Sequence, residues 1–297
     1  MSGAAQAGAP LATAAEPRDR ITHADYERLA ALILSESGIR LGVEKTTMLE
    51  IRVRRRLKAL GMDSYAQYCA YLFGPRGSQD EIVSLIDVVS TNKTDFFREP
   101  KHFDFLTQQV LPEWSSAHGA SGSPYLVWSA GCSSGEEPYT LGIVLSEYAH
   151  AHPGLRFHIL ASDISTIVLE KAGRGIYSDE VTQAIPSVLK RKYFLRSRDT
   201  RVARVKVGPE LRSLIEFRRL NFMDADYELA EHVDAIFFRN VMIYFDRATQ
   251  ERILSKLCAQ LLPGGYLFVG HSETLHNMRL PVEPVAPSLY RRIEHGQ

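Results

Sequence analysis

The residues of this chain best suited to chemistry form a glycine loop after an apolar run, "AGCSSGEEP", residues 130–138. Gly131 and Gly135 allow a tight turn and close approach of the backbone to a ligand. The spacing is Gly-x-x-x-Gly, unlike the Gly-x-Gly-x-x-Gly of dinucleotide sites or a phosphate loop that ends in Gly-Lys-Ser/Thr. Glu136 and Glu137 suit the start of a helix but would repel a pyrophosphate. The loop predicts a neutral or positively charged nucleoside ligand, and an ordinary acidic helix start is the alternative.

Further polar residues follow later apolar runs. Asp163 ends "FHILASD", where an acidic residue commonly binds ribose hydroxyls, and a helix cap is the alternative. Asn221 and Asn240 carry amides that can donate to and accept from an adenine edge, although isolated asparagines are often turn residues. Tyr244 could instead be a core residue, and Arg239 could be a surface residue.

Elements that bring these positions together are predicted from Tyr125 to the C-terminus. Apolar runs such as "YLVWSAG", "FHILASDI", "VDAIFFRN" and "YLFVGHS" alternate with helical patterns. This alternation predicts a doubly wound α/β domain over residues 125–297, in which ligands bind beyond the carboxyl ends of the strands. Short alternating stretches predict a small antiparallel β insertion at about 196–218.

The N-terminal part has a different pattern. Residues 1–20 are rich in alanine and glycine and predict a disordered tail. Residues 21–89 predict a small all-α domain, and residues 90–124 a linker with a connecting helix.

Composition restricts the class of protein. Lysine plus arginine equals aspartate plus glutamate, 35 each, which does not indicate a nucleic-acid partner. Three separated cysteines without a CxxC pair indicate free thiols in a reducing cytoplasm and argue against a structural zinc site, so no metal is predicted. Neither a secretory signal nor a membrane-spanning run is apparent, so we expect a cytoplasmic protein without direct membrane insertion.

Five motifs, "STNKTDFFRE", "AGCSSGEEPYT", "ASDIS", "FRNVMIYFD" and "GHSE", occur in this order. Together they resemble the chemotaxis receptor methyltransferases, the CheR family of S-adenosylmethionine-dependent protein-glutamate O-methyltransferases. The resemblance extends from Ile21 to Tyr290. It implies a Rossmann-like methyltransferase domain with a small antiparallel β insertion, preceded by a small all-α domain.

The resemblance also implies roles for individual residues. Those implied to contact S-adenosylmethionine, or its product S-adenosylhomocysteine, are Asn92, Thr94, Arg98, Glu137, Asp163, Asn221, Phe222, Asn240 and Val241. The acceptor glutamate is already ionised at pH 7, so no general base is required. Arg98 is expected to orient that carboxylate through a two-pronged contact, and Tyr244 to contribute a hydroxyl near the methyl group.

The implied partners are the cytoplasmic helices of chemoreceptors. The helix of residues 45–58 carries basic residues that could attract an acidic receptor segment, and a solvated face is the alternative. These residues are Lys45, Arg52, Arg54, Arg55 and Lys58. In some family members the β insertion docks on a receptor C-terminal peptide through a glycine-containing loop, but the corresponding "RSRDTRVAR" has no glycine, which counts against docking here.

Two other functions are compatible with such a fold. A methyltransferase that modifies amino groups of bases commonly has an Asn/Asp-Pro-Pro-aromatic turn, whereas this chain has "NVMIYF". A non-enzymatic module that senses S-adenosylmethionine is the other alternative, and label transfer to receptors would distinguish it from an enzyme.

Overall fold

The computed structural model describes residues 20–75, 77–118, 122–199 and 203–293. The predicted tail, apart from Arg20, lies outside the described residues. The chain divides into two compact units. The first contains the described residues up to Leu32 together with Leu41–Val89, and the second contains Ile33–Arg40 and the chain from Ser90 onward.

The first unit is helical. Its elements, with the end of α1 assigned to the second unit, are α1 (His23–Ser37), a 3₁₀ turn (Val43–Lys45), α2 (Thr46–Leu60), α3 (Tyr65–Leu72) and α4 (Gln79–Val89). Helix α2 ends at Gly61, whose φ of 65° is left-handed, as its glycine predicts. Leu49, Val53 and Leu57 of α2 are buried, so the apolar stripe of this helix forms part of the core.

A buried charge lies within this helical unit. Glu81 is 4% exposed and forms a two-pronged ion pair with Arg56, Nε to Oε1 at 3.0 Å and Nη2 to Oε2 at 2.6 Å. The hydroxyl of Tyr68 donates to Oε1 at 2.9 Å. Because a carboxylate removed from water is costly unless paired, Arg56 is required to keep Glu81 in this core.

The second unit contains the remaining elements. Up to β3 they are α5 (Lys101–Phe105), a π-helical turn (Leu106–Val110), α6 (Leu111–His118), β1 (Tyr125–Ala130), α7 (Glu136–Ala151), β2 (Phe157–Asp163), α8 (Thr166–Arg174) and β3 (Ile176–Ser178). They continue with α9 (Ser187–Tyr193), β4 (Phe194–Arg196), β5 (Arg204–Val207), α10 (Pro209–Arg212), β6 (Ile215–Arg219) and β7 (Val233–Phe238). The last are a 3₁₀ turn (Met242–Tyr244), α11 (Arg247–Gln260), β8 (Leu261–Val269), β9 (Val282–Ala286) and β10 (Leu289–Arg292).

The main sheet has the strand order β6-β2-β1-β7-β8-β10-β9. Strands β6, β2, β1, β7 and β8 are parallel, and β10 is antiparallel to both of its neighbours. Every residue of β7 is buried, Asp234 included, as expected for a central parallel strand that is covered on both faces. The strand order reverses between β1 and β7, so the crevice for a ligand opens at their carboxyl ends.

The small second sheet differs from the predicted insertion. Its order is β3-β5-β4, so it begins at Ile176 rather than near residue 196. Strand β6, within the range predicted for the insertion, instead pairs in parallel with β2 of the main sheet. Alternation in a short strand shows that one face is covered, but it does not identify the partner strand.

No helix among the described residues combines the length and apolarity needed to cross a membrane.

Replacing Arg56 with leucine should destabilise the first unit by about 3 kcal/mol, because Glu81 would be left buried without its cation. The measurement is native-state hydrogen exchange of the α2 and α4 amides. Arg55 is the matched control, since it is the exposed neighbour on the same helix. Arg55→Leu should change the free energy of unfolding by less than about 0.5 kcal/mol. Equal effects of the two substitutions would contradict a buried ion pair.

Candidate active site

The glycine loop after β1 requires backbone conformations that favour glycine. Gly131 and Gly135 have φ angles of 87° and 97°. A Cβ on Gly131 would lie 2.6 Å from Cγ2 of Val241, and one on Gly135 would lie 2.8 Å from the hydroxyl of Tyr177. The loop is therefore packed tightly, with its first glycine against the segment that follows β7.

Asp163, at the end of β2, organises this loop. Its Oδ2 accepts a hydrogen bond from the amide of Ser133 at 2.8 Å, and its Oδ1 accepts one from the amide of Ser165 at 2.9 Å. The hydroxyl of Ser133 donates to the carbonyl of Asn92 at 2.9 Å. Ser165, through its own hydroxyl, caps α8. The carboxylate of Asp163 and the backbone carbonyl of Asn92 thus both contact the loop at Ser133.

The two acidic residues after the loop are both buried, at 2% exposure for Glu136 and 8% for Glu137. Glu137 accepts from the hydroxyl of Ser129 at 2.7 Å and pairs with Nε of Arg239 at 2.7 Å. Glu136 accepts from the hydroxyl of Ser134 at 2.7 Å, and burial raises the pKa of Glu136. An ordinary acidic helix start would be solvated, so the burial of these two carboxylates, with their hydrogen bonds and the ion pair of Glu137, argues against that alternative.

The stretch 90–100 contributes a strained turn. Phe97 and Glu99 have φ angles of 55° and 56°, which non-glycine residues rarely adopt, and they flank Arg98. Phe96 is 1% exposed and packs edge-on against Tyr177 at 5.1 Å between ring centres. Phe97 is half-buried, and its amide donates to the hydroxyl of Thr140 at 3.1 Å. Phe96 is therefore the deeper anchor of a turn that presents Arg98.

The segment after β7 approaches the same turn. Asn240, with φ of 60°, donates from Nδ2 to Oε1 of Glu99 at 3.4 Å. Tyr244 is half-buried, and its hydroxyl donates to the carbonyl of Thr91 at 3.3 Å. Tyr244 is thus tied to the opening stretch rather than enclosed in the core. Thr94, in that stretch, is half-buried.

Two predicted cofactor residues have side chains that are engaged elsewhere. Nδ2 of Asn221 donates to the carbonyl of Glu36 at 2.6 Å, and its Oδ1 accepts from the amide of Met223 at 3.0 Å. The ring of Phe222 packs edge-on against Phe238 at 5.1 Å. The structure does not direct these side chains to the glycine loop, and their contact with a cofactor stays a prediction.

Sequence reasoning missed the roles of Arg239 and Glu273. Arg239 is 7% exposed, so the alternative that it is a surface residue is wrong. Glu273, at 6% exposure, accepts from the amides of Asn240, Met242 and Gly270 at 2.7–2.8 Å, and burial raises the pKa of Glu273. A carboxylate after the apolar run of β8, in "GHSE", was the available signal.

One cluster has the composition of a metal site. Glu99, His102 and His271 offer ligand atoms within 4.8 Å of one another. However, Nη1 of Arg239 lies 3.5 Å from Oε2 of Glu99 and 3.2 Å from Nδ1 of His102. A divalent cation would face this fixed positive charge, so the guanidinium is the cation that the cluster favours. Burial and the charge of Arg239 lower the pKa of His102 to about 4, which keeps its ring neutral.

The basic residues predicted to bind a partner lie in the first unit. Arg55 and Lys58 are exposed, and Lys45 is half-buried. Arg52 donates to the carbonyl of Val89, and Nε of Arg54 lies 3.4 Å from the hydroxyl of Tyr65. Arg55 and Lys58 are therefore the most accessible charges of this set.

These features fit a positively charged nucleoside. Buried acids lie beside a close-packed glycine loop, at the point where a doubly wound sheet reverses its strand order. Residues 92–288 match the family model "CheR methyltransferase, SAM binding domain". The fold and the site thus define an S-adenosylmethionine-dependent methyltransferase.

The family follows from the whole length of the chain. Residues 24–90 match the model "CheR methyltransferase, all-alpha domain", so the two models together span nearly all the described chain. The chain belongs to the CheR methyltransferase family.

Relatives from three bacteria agree with this assignment. The chain is 37% identical over 274 residues to "Chemotaxis protein methyltransferase" of Borreliella burgdorferi, covering 92% of this chain and 95% of that protein. It is 40% identical over 259 residues to the protein of the same name from Salmonella typhimurium, covering 87% and 86%. It is also 37% identical over 270 residues to "Chemotaxis protein methyltransferase 2" of Pseudomonas aeruginosa, covering 91% and 93%.

Glu273→Gln should loosen the segment after β7. An amide has one acceptor oxygen and one donor nitrogen, so it cannot accept all three backbone amides that the carboxylate accepts. We expect a loss of about 2 kcal/mol in unfolding free energy and faster hydrogen exchange at residues 240–242. The control is Glu283→Gln on exposed β9, which should change neither. Unchanged exchange at 240–242 in Glu273→Gln would contradict this role.

Proposed function

We propose that the enzyme transfers the methyl group of S-adenosylmethionine to glutamate side chains in the cytoplasmic domains of chemoreceptors, forming glutamyl methyl esters. The observation that carries this proposal is that Arg239 joins the Glu137 carboxylate to the backbone carbonyl of Arg98. The backbone that carries the proposed anion-binding group is thereby tied to the proposed cation-binding group. A carboxylate acceptor and a cationic donor need this pairing.

The cofactor is held, in this proposal, by residues at the carboxyl ends of the strands. Asp163 binds the ribose hydroxyls and Glu137 binds the ammonium of the amino-acid part. Each oxygen of Glu137 has two lone pairs, so its bonds to Ser129 and Arg239 leave capacity for a ligand. The other residues proposed to contact the cofactor are Asn92, Thr94, Arg98, Asn221, Phe222, Asn240 and Val241.

Little acid–base chemistry is required of the protein. When bound, S-adenosylmethionine supplies an electrophilic sulfonium methyl group. The acceptor glutamate, with an ordinary pKa near 4.3, is ionised at neutral pH and is itself the nucleophile. Arg98 orients this carboxylate by a two-pronged contact, Tyr244 places a hydroxyl near the reacting methyl group, and positioning provides most of the rate.

The receptor segment approaches through the basic surface of α2. Arg55 and Lys58 are exposed there, and the charges of Lys45, Arg52 and Arg54 add to the same field. An acidic helical segment would be attracted by this field, in the cytoplasm where receptor signalling domains lie. Docking of a receptor C-terminal peptide on the β3-β5-β4 sheet is not part of this proposal, because the segment "RSRDTRVAR" has no glycine.

The test is label transfer. Purified protein, tritiated S-adenosylmethionine and receptor-containing membranes should give receptor label that mild base releases as a volatile product, because carboxyl esters hydrolyse readily. Membranes without enzyme are the control. Label that resists mild base would contradict ester formation. Cofactor binding measured by calorimetry, without label transfer to any of several receptors, would favour a non-enzymatic module that senses S-adenosylmethionine.

Charge reversal tests the basic surface. Arg55→Glu with Lys58→Glu should raise the KM for receptor about tenfold at low salt and leave cofactor affinity unchanged, because electrostatic attraction is screened by ions. The difference should shrink as salt is added. The matched control is Arg174→Glu with Arg279→Glu, which makes the same charge change at exposed positions of the second unit. An equal KM for the two double variants would contradict this role and would indicate that the basic face of α2 is only solvated.

A further inference from the structure

We propose that Arg239 is a positioning residue that holds Arg98 and Glu137 in a fixed relation during methyl transfer. The inference rests on the proposed function, which gives Arg98 the acceptor carboxylate and Glu137 the cofactor ammonium. Arg239 itself touches neither reactant in this proposal. It acts through the two residues that do.

The guanidinium bridges the two sides of the site. Its Nε lies 2.7 Å from Oε2 of Glu137, and its Nη1 donates to the carbonyl of Arg98 at 2.8 Å. The guanidinium is planar and rigid, so these two contacts set the distance between the Glu137 carboxylate and the backbone of Arg98. The side chain of Arg239 is 2% exposed, so water does not compete for either contact.

The turn that Arg239 holds needs an external restraint. Left-handed backbone at Phe97 and Glu99 costs about 1–3 kcal/mol for each residue. Such a turn persists only where its surroundings over-determine it. The carbonyl of Arg98, between these two residues, is the group that Arg239 binds. Removal of that bond allows the turn to relax and Arg98 to move.

Arg239 is itself well fixed. The rings of Phe103 and Phe237 lie 5.3 and 5.7 Å from its Cζ, and Nδ1 of His102 lies 3.2 Å from its Nη1. Because a guanidinium only donates, this ring nitrogen of His102 is the acceptor. These groups leave one position for the guanidinium. A lysine ammonium at the same place could not meet Glu137 and Arg98 together in this geometry.

The charges predict a separation of kcat from cofactor affinity. Without Arg239, Glu137 is a buried carboxylate that lacks its cation, and the ammonium of the bound cofactor can compensate it. Cofactor affinity should therefore be retained. Methyl transfer should nevertheless become slower, since a displacement of about 1 Å in a positioning group can lower the rate about 100-fold.

The experiment compares Arg239→Lys and Arg239→Ala with the wild type. At saturating cofactor and receptor, we expect kcat to fall about 100-fold in both variants. The dissociation constant of S-adenosylhomocysteine, measured by calorimetry, should not increase. Methylguanidinium added to Arg239→Ala should restore part of kcat, whereas methylurea, which has a similar shape and no charge, should not. Arg292→Lys is the control, because Arg292 also bonds two backbone carbonyls, that of Ala259 near the end of α11 and that of Leu261 at the start of β8.

The possible outcomes separate the two proposals. If the wild type labels no receptor, the proposed function fails and this inference fails with it. If the wild type labels receptors and Arg239→Lys keeps its kcat, only the inference is wrong. A parallel loss of kcat, cofactor affinity and Tm, without rescue by methylguanidinium, would show a merely structural role and would also overturn it.

Discussion

The ion pair between Arg239 and Glu137 is the interaction on which the candidate site depends. It lies at the carboxyl ends of the parallel strands, where Arg239 follows β7 and Glu137 begins α7. A buried pair of this kind contributes little net stability, because desolvation offsets most of the attraction. Its value here is positional, since the guanidinium also binds the backbone that carries Arg98.

The surrounding site combines strained backbone with carboxylates that restrain it. Ser133 and Asn240 both have left-handed φ angles, of 50° and 60°. The amide of Ser133 is bound by Asp163, and that of Asn240 by Glu273. Conformations that would otherwise relax are thus held by buried acceptors, which is a common arrangement at sites that must be preformed. A methyl transfer that relies on positioning benefits from this rigidity.

Much of the fold could be predicted from the chain alone. The long, strongly periodic elements, such as the buried run of β7 and the striped helix α2, correspond to observed elements. The small antiparallel sheet was predicted, but its bounds differ, because its strands are short and β6 joins the main sheet instead. In the site, the glycine loop and Asp163 were identified by their positions after apolar runs. The burial of Arg239 could not be identified, since an arginine next to an apolar run is equally compatible with the surface.

The sequence by itself determined the long elements, the glycines at left-handed positions and the family to which the chain belongs, because these depend on local residue types and spacing. Only the tertiary structure decided which side chains meet. Asn221 turns to the carbonyl of Glu36, and Arg239 joins Glu137 to Arg98 across more than a hundred residues of chain. Such contacts depend on the pairing of distant strands, and no local pattern records which buried charge will find which partner.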